Sequence, residues 1–275
     1  MPEGPEIRRA RDELAGVLEG QRVDDVFFAF DTLQPYQQRL THQCIVSVES
    51  RGKAMLIHFD NAYTIYSHNQ LYGRWYVALD KKTPDITRQL RLAIHVNTAS
   101  AFLYSASDIL VLQTHELAEH PYLAKLGLEL LSPDTNESMV LDRLMEYRRS
   151  RRCLMGLLQD QSILSGMGNY LCCEVLHASG LHPESRLCDL DETQLQMLAH
   201  HCLQLTRQSY ETGGVTNLLD CAEQMKGQGV GFEGYRFQVY RREGQACYRC
   251  GGVVVKGKFC GRMGYCCEGC QLLNR

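Results

Sequence analysis

The sequence predicts an α+β protein, with an N-terminal helix and an antiparallel β-sandwich followed by a helical segment and a small cysteine-rich ribbon. Three observations predict this class. Apolar residues recur at helical spacing within residues 3–18, short alternating segments fill residues 23–106, and helical periodicity returns after Pro121. A chain of 275 residues is long enough for one large or two modest cores.

The first predicted element is an amphipathic helix over residues 3–18. Ile7, Leu14 and Leu18 recur at helical spacing, and Gly20 follows as a stop signal. The next segments are short and alternate apolar with polar residues, which is typical of antiparallel strands. The predicted strands are Val23–Phe30, Cys44–Glu49, Ala54–Phe59, Tyr63–Ser67, Trp75–Leu79, Leu90–Val96 and Ala101–Tyr104. Their spacing indicates a sandwich or a barrel.

The second half of the chain is predicted to be helical and then to form a ribbon. The predicted helices are Met139–Tyr147, Leu154–Leu164, Asn169–Ser179 and Glu192–Tyr210. Residues 211–234 contain six glycines and little periodicity, so they are predicted to be a flexible loop. We therefore expect a β-sandwich domain at 1–122, a helical domain at 123–234 and a ribbon at 235–275.

Two Cys-x2-Cys pairs near the C-terminus predict one tetrahedral Zn²⁺ site. Each pair can supply two thiolates from a tight turn, and sixteen residues separate the pairs. The predicted ligands are Cys247, Cys250, Cys267 and Cys270. Because protein ligands would take all four positions, this zinc would be structural. Cys260 and Cys266 lie in the same segment and could compete for the metal, but they do not make such a pair.

The composition indicates a cytoplasmic protein with reduced thiols. Hydrophobic residues make up 44% and charged residues 22% of the chain, which is ordinary for a soluble globular protein. No apolar run reaches the length of a membrane span, and the charged N-terminus does not resemble a secretory signal. The cysteine count of 13 is odd, so a disulfide framework is not expected.

Charge is distributed unevenly along the chain. The net charge is −3, but residues 226–275 contain nine Lys or Arg against three Glu, so that segment carries +6 and the remainder −9. A second basic cluster consists of Arg148, Arg149, Arg151 and Arg152. Local positive patches bind nucleic-acid phosphates by releasing counterions, whatever the net charge. A solvated surface is the alternative interpretation of the arginine cluster.

The N-terminus could carry a reactive amine. Removal of Met1 would expose the Pro2 nitrogen as a secondary amine, and an α-amino group titrates near pH ~8, so part of it is unprotonated at neutral pH. Such an amine can attack an aldehyde-like carbon to give an iminium ion. Glu3 and Glu6 lie within one helical turn, where carboxylates suit proton transfer. Alternatively, Pro2 only starts the helix and the glutamates only cap it.

A glycine pair precedes the third predicted helix of the second half. Gly166 and Gly168 allow close backbone approach, and the N–H groups at a helix start can bind an anion. Asn169 is a good N-cap candidate that could also donate to a phosphate oxygen. The pattern is not a nucleotide P-loop, since no strand precedes it and no Gly-Lys-Ser/Thr follows. A purely structural turn is the alternative.

Taken together, these motifs resemble the formamidopyrimidine-DNA glycosylase and endonuclease VIII family. The resemblance rests on motifs in family order over nearly the whole chain. They are Met1–Arg8, Arg51–Ala54, Tyr66–Gly73, Tyr104–Asp108, Gly166–Leu171 with Glu174, and the four-cysteine ribbon with Arg262. It implies a bifunctional enzyme that excises oxidised bases and then cuts the strand by β,δ-elimination, with a helix–two-turn–helix domain and a zinc ribbon.

The resemblance also implies roles for individual residues. Pro2 is similar in position to the Schiff-base nucleophile of the family and Glu3 to its general acid/base, with Glu6 as a supporting carboxylate. Lys53 and Arg262 match catalytic positions that contact the phosphates beside the lesion. The expected cofactor is one structural Zn²⁺, with no redox cofactor and no Mg²⁺.

DNA-binding positions follow from the same resemblance. Asn169 and Arg262 would contact phosphates, and Gln70, Leu71 and Tyr72 would form a wedge that fills the gap left by an extruded nucleotide. Extrusion costs a few kcal/mol, and an apolar or aromatic plug restores part of the lost stacking. The alternative for this wedge segment is a sheet core or a hairpin turn.

Two departures from the family pattern concern cysteines. Cys172 and Cys173 stand where many members carry bulky or basic residues, and Cys266 stands where an aromatic is more usual. We interpret them as altered packing, with Cys266 a possible point of oxidation.

The expected partner is damaged double-stranded DNA, bound by a monomeric enzyme of the bacterial cytoplasm that associates with the nucleoid through DNA. No membrane interaction is expected. The wedge favours oxidised pyrimidines as substrates. One alternative is the same chemistry on oxidised purines, and another is a non-catalytic zinc-ribbon protein that only binds DNA.

Overall fold

The computed structural model describes residues 2–79 and 82–273, and the chain divides into two compact units, Met1–Lys125 and Leu126–Arg275. Met1 and Arg275 lie outside the described residues. The predictions used Met1 as the residue that is removed to expose Pro2, and Arg275 as one of the basic residues of the C-terminal segment. Among the described residues, no helix is both long enough and apolar enough to cross a bilayer. Each unit has its own hydrophobic core.

The first unit contains two four-stranded antiparallel sheets. Their strand orders are β1-β6-β7-β5 and β2-β3-β4-β8. The strands are β1 (Val23–Phe28), β2 (Ile45–Arg51), β3 (Ala54–Phe59), β4 (Tyr63–His68), β5 (Arg74–Ala78), β6 (Leu90–Val96), β7 (Ser100–Tyr104) and β8 (Asp108–Gln113). Side chains from both sheets share one core, for example Ile57 and Ile65 with Leu92 and Ile94. The predicted sandwich is therefore confirmed.

Most predicted strands agree with the structure to within one or two residues. Strand β1 ends at Phe28, two residues before the predicted end. Strand β8 was not predicted, and it forms an edge of the second sheet by pairing with β4. Short 3-10 helices occur at Gln34–Tyr36, Thr114–Glu119 and Leu123–Lys125, and the four-residue helix α2 spans Gln37–Leu40.

Helix α1 (Gly4–Leu18) confirms the predicted N-terminal helix. Its apolar face buries Ile7, Leu14 and Leu18 in the core of the sandwich. Full burial of such side chains stabilises a fold by about 1.5–3 kcal/mol each. Glu3 is the N-cap residue, and Gly20 follows the helix with a φ of 73°, a left-handed conformation that favours glycine.

The second unit is mainly helical. Its helices are α3 (Glu137–Glu146), α4 (Leu154–Leu158), α5 (Asn169–Ala178), α6 (Glu192–Glu211), α7 (Leu219–Gly227) and α8 (Phe232–Tyr235), with a 3-10 turn at Leu187–Asp189. A short parallel pair joins β9 (Leu128–Glu129) to β10 (Leu164–Ser165). Strands β11 (Val254–Phe259) and β12 (Arg262–Cys267) form the ribbon hairpin.

The prediction of one helix over Leu154–Leu164 is wrong. Helix α4 ends at Leu158, and the chain then turns at Asp160, whose Oδ1 accepts from the N–H and the hydroxyl of Ser162 at 2.9 and 2.7 Å. This local bonding competes with helix continuation. Leu164 then pairs with Leu128 as a strand.

The stretch 211–234, predicted to be a flexible loop, contains helices α7 and α8. Only Ala222 of α7 is buried, so its sequence carries no apolar stripe that would have revealed the helix. The prediction of a structureless loop is therefore corrected. Part of the preceding turn is fixed by Asn217, whose Nδ2 donates to the carbonyl of Tyr235 at 2.9 Å.

Two of the cysteines, Cys153 and Cys260, lie side by side with their Cα atoms 6.7 Å apart. The other eleven cysteines are free thiols. The expectation of reduced thiols stays a prediction for the Cys153–Cys260 pair. Cys266 is not bonded and is buried, consistent with a packing role.

Candidate active site and metal centre

Pro2, Glu3 and Glu6 lie together at the start of α1. Glu3 is the N-cap residue and forms a capping box with Glu6, in which the Glu3 N–H donates to Glu6 Oε2 at 3.0 Å. The other oxygen of Glu6 accepts from Arg9 Nη2 at 3.2 Å. Glu3 is only 2% exposed. The capping interpretation of Glu6 is therefore correct, and the same bonds hold the backbone beside Pro2 in one conformation.

The N-terminal segment is held by packing as well as by hydrogen bonds. Helix α1 contacts β2, β3 and β5, and Ile7 of its first turns is 1% exposed. The N–H of Ile7 donates to the carbonyl of Glu3 at 3.1 Å. A chain end is normally mobile unless an element ties it to a core. Here the helix that follows Pro2 directly provides that tie.

Lys53 lies in the two-residue turn between β2 and β3. Arg51 pairs with Ala54 across this turn, and Gly52 has a φ of 59°, as required at the first central position of a type II′ turn. The N–H of Lys53 donates to Tyr122 Oη at 2.9 Å, and the residue is 7% exposed. The turn therefore holds the lysine backbone in a fixed place.

Strand register brings Lys53 to the same end of the sheet as the predicted wedge segment. Ala54, directly after Lys53, pairs with His68, and His68 pairs with Asp108 on the next strand. The wedge segment Gln70–Tyr72 begins two residues after His68. The hairpin turn, the wedge segment and the start of β8 therefore meet at one end of this sheet.

The wedge side chains face solvent. Leu71 is 58% exposed and Tyr72 is 71% exposed, although apolar side chains of this size are usually buried. The segment connects β4 of one sheet to β5 of the other. The alternative interpretations as sheet core or hairpin turn are therefore wrong, since this is an exposed crossover between sheets.

Hydrogen bonds fix the backbone of the wedge segment. Gln70 has a φ of 48°, its Oε1 accepts from Ser107 Oγ at 2.8 Å, and its N–H donates to His68 Nδ1 at 3.1 Å. Arg88 Nη1 donates to the carbonyl of Tyr72 at 2.6 Å. Gly73 follows the segment, and a Cβ added at this position would lie 2.6 Å from the backbone oxygen of Asn69. The exposed side chains thus stand on an ordered turn.

Asn169 and Arg262 are connected by a residue that the sequence did not single out. Arg262 Nη1 donates to Gln159 Oε1 at 3.1 Å, and Gln159 Nε2 donates to Asn169 Oδ1 at 3.4 Å. This arrangement does not use the amide nitrogen of Asn169. Gly168, not Asn169, is the N-cap of α5, so the capping role predicted for Asn169 is wrong.

The four predicted zinc ligands come together and could hold one metal ion. Their sulfur atoms all lie within 4.8 Å of one another. The sulfur atoms of Cys247 and Cys270 are 3.7 Å apart and those of Cys250 and Cys267 are 3.5 Å apart. A tetrahedral ion with Zn–S bonds of ~2.3 Å requires about 3.8 Å between sulfurs. The donor set therefore fits a single zinc ion.

Backbone and side-chain donors surround these sulfurs. The N–H of Gly252 donates to Cys250 Sγ at 3.4 Å, and this bond, followed by those from neighbouring thiols, lowers the pKa of Cys250 to about 7. His177 Nε2 lies 3.3 Å from Cys247 Sγ. Burial, then the charge of Arg249, lowers the pKa of His177 to about 4, so the ring is neutral and can donate one N–H to sulfur.

Cys172 and Cys173 pack inside the second unit. Cys172 is fully buried, with its Sγ 3.6 Å from Met155 Sδ. Cys173 Sγ accepts from the N–H of Tyr265 on β12 at 3.4 Å. The interpretation of these cysteines as packing residues agrees with both environments.

Glu174 connects α5 to the chain that enters the ribbon. The residue is fully buried, and its carboxylate accepts from the N–H groups of Gln238, Val239 and Tyr240 at 2.7–2.9 Å and from Thr216 Oγ1 at 2.8 Å. A buried carboxylate is tolerated only when such donors replace its hydration. Glu174 was part of the resemblance but had been given no role, because its partners lie 42–66 residues away.

The arginine cluster has two kinds of member. Arg148 donates to the carbonyls of Leu187 and Leu190, and Arg152 Nη1 donates to Asp160 Oδ2 at 2.8 Å. These two arginines therefore stabilise the fold. Arg149, Arg151 and Arg152 are exposed, so three of the four arginines present charge to solvent, and Arg152 does so beside the carboxylate of Asp160.

Both halves of the chain match family models. Residues 1–107 match the formamidopyrimidine-DNA glycosylase N-terminal domain, and residues 126–219 match the formamidopyrimidine-DNA glycosylase H2TH domain. The chain is 43% identical to Endonuclease 8 of Escherichia coli K12 over 271 residues, which covers 98% of this chain and the whole of the relative. Endonuclease 8 of Shigella flexneri is similar to the same extent.

Solved structures show the same fold. Formamido-pyrimidine DNA glycosylase of Lactococcus lactis, bound non-covalently to DNA containing an AP site, superposes with a TM-score of 0.79 at 22% identity, covering 98% of this chain and 99% of that one. The same L. lactis enzyme in complex with DNA containing an oxidised pyrimidine gives a TM-score of 0.80. This likeness extends through both units of the chain.

Proposed function

Because the chain belongs to the formamidopyrimidine-DNA glycosylase family, we propose that it removes oxidised pyrimidines from duplex DNA through a covalent intermediate on Pro2. As a member it is a DNA glycosylase and AP lyase of base excision repair. The observation that carries the covalent step is the start of the chain, where Pro2 directly precedes the buried N-cap residue Glu3.

In the proposed reaction the Pro2 nitrogen attacks C1′ of the damaged nucleotide and the base departs. The C1′–O4′ bond then breaks, O4′ takes up a proton and the nitrogen lone pair forms the C=N⁺ bond of an open-chain iminium ion. The iminium ion acidifies the C2′ proton. Loss of that proton expels the 3′ phosphate by β-elimination, and δ-elimination then expels the 5′ phosphate. The chemistry requires removal of Met1, because only a chain-terminal proline has a secondary amine.

Glu3 is the proposed proton carrier of this sequence. A carboxyl group beside the nucleophile can protonate the sugar ring oxygen as C1′ is attacked, and can later accept a proton. The burial of Glu3 supports this role, since a dry environment strengthens its interactions with reacting atoms. Glu6 would act by positioning, because its side chain accepts from the Glu3 N–H at 3.0 Å.

Lys53, Asn169 and Arg262 are the proposed phosphate contacts. The tight turn at Lys53 and the hydrogen-bonded connection of Asn169 to Arg262 through Gln159 support this assignment, since contacts of this kind require preorganised donors. Each Lys or Arg side chain that contacts a phosphate increases the affinity of the protein for duplex DNA, because condensed counterions are released from the DNA. Arg262→Ala is therefore expected to weaken binding at every sequence and to lower the salt slope by about 0.9.

The wedge segment is proposed to fill the space left by the flipped nucleotide. Exposure of Leu71 and Tyr72 on an ordered turn supports this, because a plug must be apolar, accessible and fixed before DNA arrives. Gln70 would face the base that has lost its partner. Its side-chain amide has an oxygen acceptor and two N–H donors, so it can form hydrogen bonds with the edge of any base.

Zn²⁺ is the proposed metal of the four-cysteine cluster. Held by Cys247, Cys250, Cys267 and Cys270, it would cross-link the two turns of the ribbon and so maintain the hairpin that carries Arg262. The metal would be structural, since four sulfur ligands leave no position for a substrate.

The decisive experiment is reductive trapping. The protein is incubated with duplex DNA that contains an oxidised pyrimidine, and borohydride is added to reduce the iminium ion to a stable amine. A covalent protein–DNA adduct is expected, with the mass of a chain that lacks Met1. Pro2→Gly should form much less adduct, and Pro35→Gly, at an exposed proline of the same unit, should form as much as the parent.

Two outcomes would contradict the proposal. No adduct and no strand cleavage would leave only a zinc-ribbon protein that binds DNA, particularly if binding persists with Met1 in place. Adducts that form faster with oxidised purines than with oxidised pyrimidines, in a panel of lesions, would refute the substrate preference but not the covalent chemistry.

A further inference from the structure

His177 is a fully buried histidine in the last turn of α5. Its side chain is inaccessible to solvent, although histidines are usually only partly buried. Helix α5 ends one residue later, at Ala178. The Nε2 atom of His177 lies 3.3 Å from Cys247 Sγ, a residue 70 positions further along the chain. A polar ring in the core of the second unit is therefore within hydrogen-bonding distance of one sulfur of the four-cysteine cluster.

Metal ligation decides which nitrogen of this ring carries the proton. A thiolate that binds a metal has lost its own proton and can only accept a hydrogen bond. Nε2 of His177 must then be the donor, and Nδ1 carries no proton in that tautomer. In the part of the chain that the structure describes, Nδ1 has no hydrogen-bond partner. The side chain of Gln238, which lies near the ring, donates instead to the carbonyl of Thr216 at 3.1 Å.

The unpartnered nitrogen makes a role in packing alone a poor explanation for His177. A buried acceptor without a donor costs free energy, because it has lost its hydration and gained nothing in return. A phenylalanine ring of similar size would fill the same space without this cost. The hydrogen bond from Nε2 to Cys247 is therefore the interaction that favours histidine at this position.

The cluster beside His177 would carry excess negative charge. Four thiolates at −1 each and one Zn²⁺ sum to −2. The cluster lies near the C-terminal end of α5, where the last carbonyl groups carry partial negative charge as well. Arg249 compensates part of this charge, since its Nη1 donates to the carbonyls of His177 and Ala178 at 2.9 and 3.3 Å. Its backbone N–H donates to Cys247 Sγ at 3.4 Å. The ring of His177 adds a side-chain donor to the same sulfur.

We propose that His177 is a positioning residue of the metal centre, whose Nε2–H group holds the Cys247 thiolate in place and so raises the affinity of the cluster for Zn²⁺. This inference rests on the proposed metal of the four-cysteine cluster and is independent of the covalent chemistry on Pro2. Donors that bond to a metal ligand fix its orientation, and their loss typically lowers metal affinity about 10- to 100-fold.

The same contact attaches the ribbon to α5. Glu174, one turn before His177, accepts from the N–H groups of residues 238–240 at 2.7–2.9 Å. Arg249 bonds to the last carbonyls of the helix. Segments on both sides of Cys247 are therefore bound to one helix, and His177 is the residue of α5 whose side chain reaches a metal ligand.

The first test measures metal affinity in the full-length protein. A coloured chelator of known affinity competes with zinc-loaded protein at equilibrium, and its absorbance gives the Kd for Zn²⁺. His177→Phe keeps an aromatic ring but has no N–H donor, so it should bind Zn²⁺ about 10- to 100-fold more weakly than the parent. His177→Gln restores an amide N–H and should recover part of the loss.

His201→Phe is the matched control for this measurement. His201 belongs to the same unit, and its Nδ1 bonds to Ser179 Oγ at 3.2 Å rather than to a cysteine. Its replacement should leave the Kd for Zn²⁺ unchanged. Equal affinities of the parent and His177→Phe would overturn the proposal, because the role of the ring would then be packing alone.

The second test needs no variant. Zinc is replaced by an NMR-active cadmium isotope in protein that contains nitrogen-labelled histidine. The ring proton of His177 should reside on Nε2, exchange slowly with water and couple to the cadmium nucleus through the sulfur. A proton on Nδ1 would overturn the proposal, whether or not His177→Phe folds.

The outcomes also separate this inference from the proposed function. A parent protein that takes up neither zinc nor cadmium would overturn both the metal assignment and the role of His177. Borohydride trapping on Pro2 measures the covalent chemistry independently. An adduct that forms normally in a protein with parental zinc affinity in His177→Phe would reject this inference alone.

Discussion

Glu174→Gln is expected to lower the free energy of unfolding of the second unit, because it removes a hydrogen-bond acceptor from the buried side chain. One oxygen of Glu174 accepts from the N–H groups of Val239 and Tyr240, and the other from the N–H of Gln238 and the hydroxyl of Thr216. In glutamine one of these oxygens becomes an NH₂ group, which cannot accept. If it replaces the second oxygen, the hydroxyl can rotate to accept, but one buried backbone N–H loses its partner.

The expected loss of stability is about 2–4 kcal/mol. An unsatisfied buried N–H costs roughly 1–3 kcal/mol, and the two bonds that remain lose about 1 kcal/mol each when their acceptor becomes neutral. A buried amide is easier to desolvate than a buried carboxylate, which offsets part of the total. At a urea slope of about 2 kcal/mol/M, the midpoint should fall by roughly 1–2 M.

The two units can be followed separately in one unfolding experiment. The only tryptophan, Trp75, is buried in the first unit, whereas most helical residues belong to the second. Circular dichroism at the helical wavelength should therefore shift in Glu174→Gln, while tryptophan fluorescence should not. Glu243→Gln, at an exposed position nearby in the chain, should change stability by no more than about 0.5 kcal/mol.

A helical transition that moves no further in Glu174→Gln than in Glu243→Gln would refute the stabilising role of the buried carboxylate. A tryptophan transition that moved by the same amount as the helical one would show that the carboxylate supports more than its own unit.

Four further outcomes are expected. Gly73→Ala should destabilise the first unit by about 1–3 kcal/mol, since its Cβ would lie 2.6 Å from a backbone oxygen, whereas Gly16→Ala, with nothing within 4 Å in α1, should stabilise by about 0.5–1 kcal/mol; equal effects in urea unfolding would contradict this. Gln159→Ala should weaken DNA binding by about 2- to 10-fold with zinc content unchanged, measured by fluorescence anisotropy; unaltered affinity would remove its proposed positioning role. Burial lowers the pKa of His68, so its stabilising contribution is present above pH ~6.5 and is lost as the pH falls through the folded value; an NMR titration midpoint above 6.5 would be inconsistent with this. Cys250→Ser should release the metal and unfold the ribbon without shifting the tryptophan transition, and full metal content in this variant would count against the ligand assignment.

Periodic elements could be predicted from the sequence because their physical cause is local. Strand β3 (Ala54–Phe59) and strand β6 (Leu90–Val96) have the predicted bounds, and α1 ends at the predicted Leu18. Strand β8 was missed because its Ile-Leu-Val-Leu run does not alternate, although only two of its residues are buried. Its pairing with β4 gives it strand structure, and that is a tertiary effect.

The sequence predicted that four cysteines come together, but it did not predict the hydrogen bonds between candidate site residues. The cluster of Cys247, Cys250, Cys267 and Cys270 was predictable because the spacing of two Cys-x2-Cys pairs suits one tetrahedral metal site. Gln159 had no such signal, since its partner Arg262 is 103 residues away and glutamine is common on any surface. His177 had no such signal either, because its partner Cys247 is 70 residues away in the sequence.

The buried carboxylate of Glu174 also imposes an order on synthesis. Its first backbone partner, Gln238, follows 64 residues later, so at a translation rate of about 5–20 residues per second the carboxylate remains in water for roughly 3–13 seconds. During that interval Glu174 of α5 lacks its backbone partners, and the four-cysteine cluster from Cys247 onward has not been synthesised. A nascent chain that stalls before this point would expose apolar helix surface to chaperones, whereas the sandwich ahead of it would already be finished.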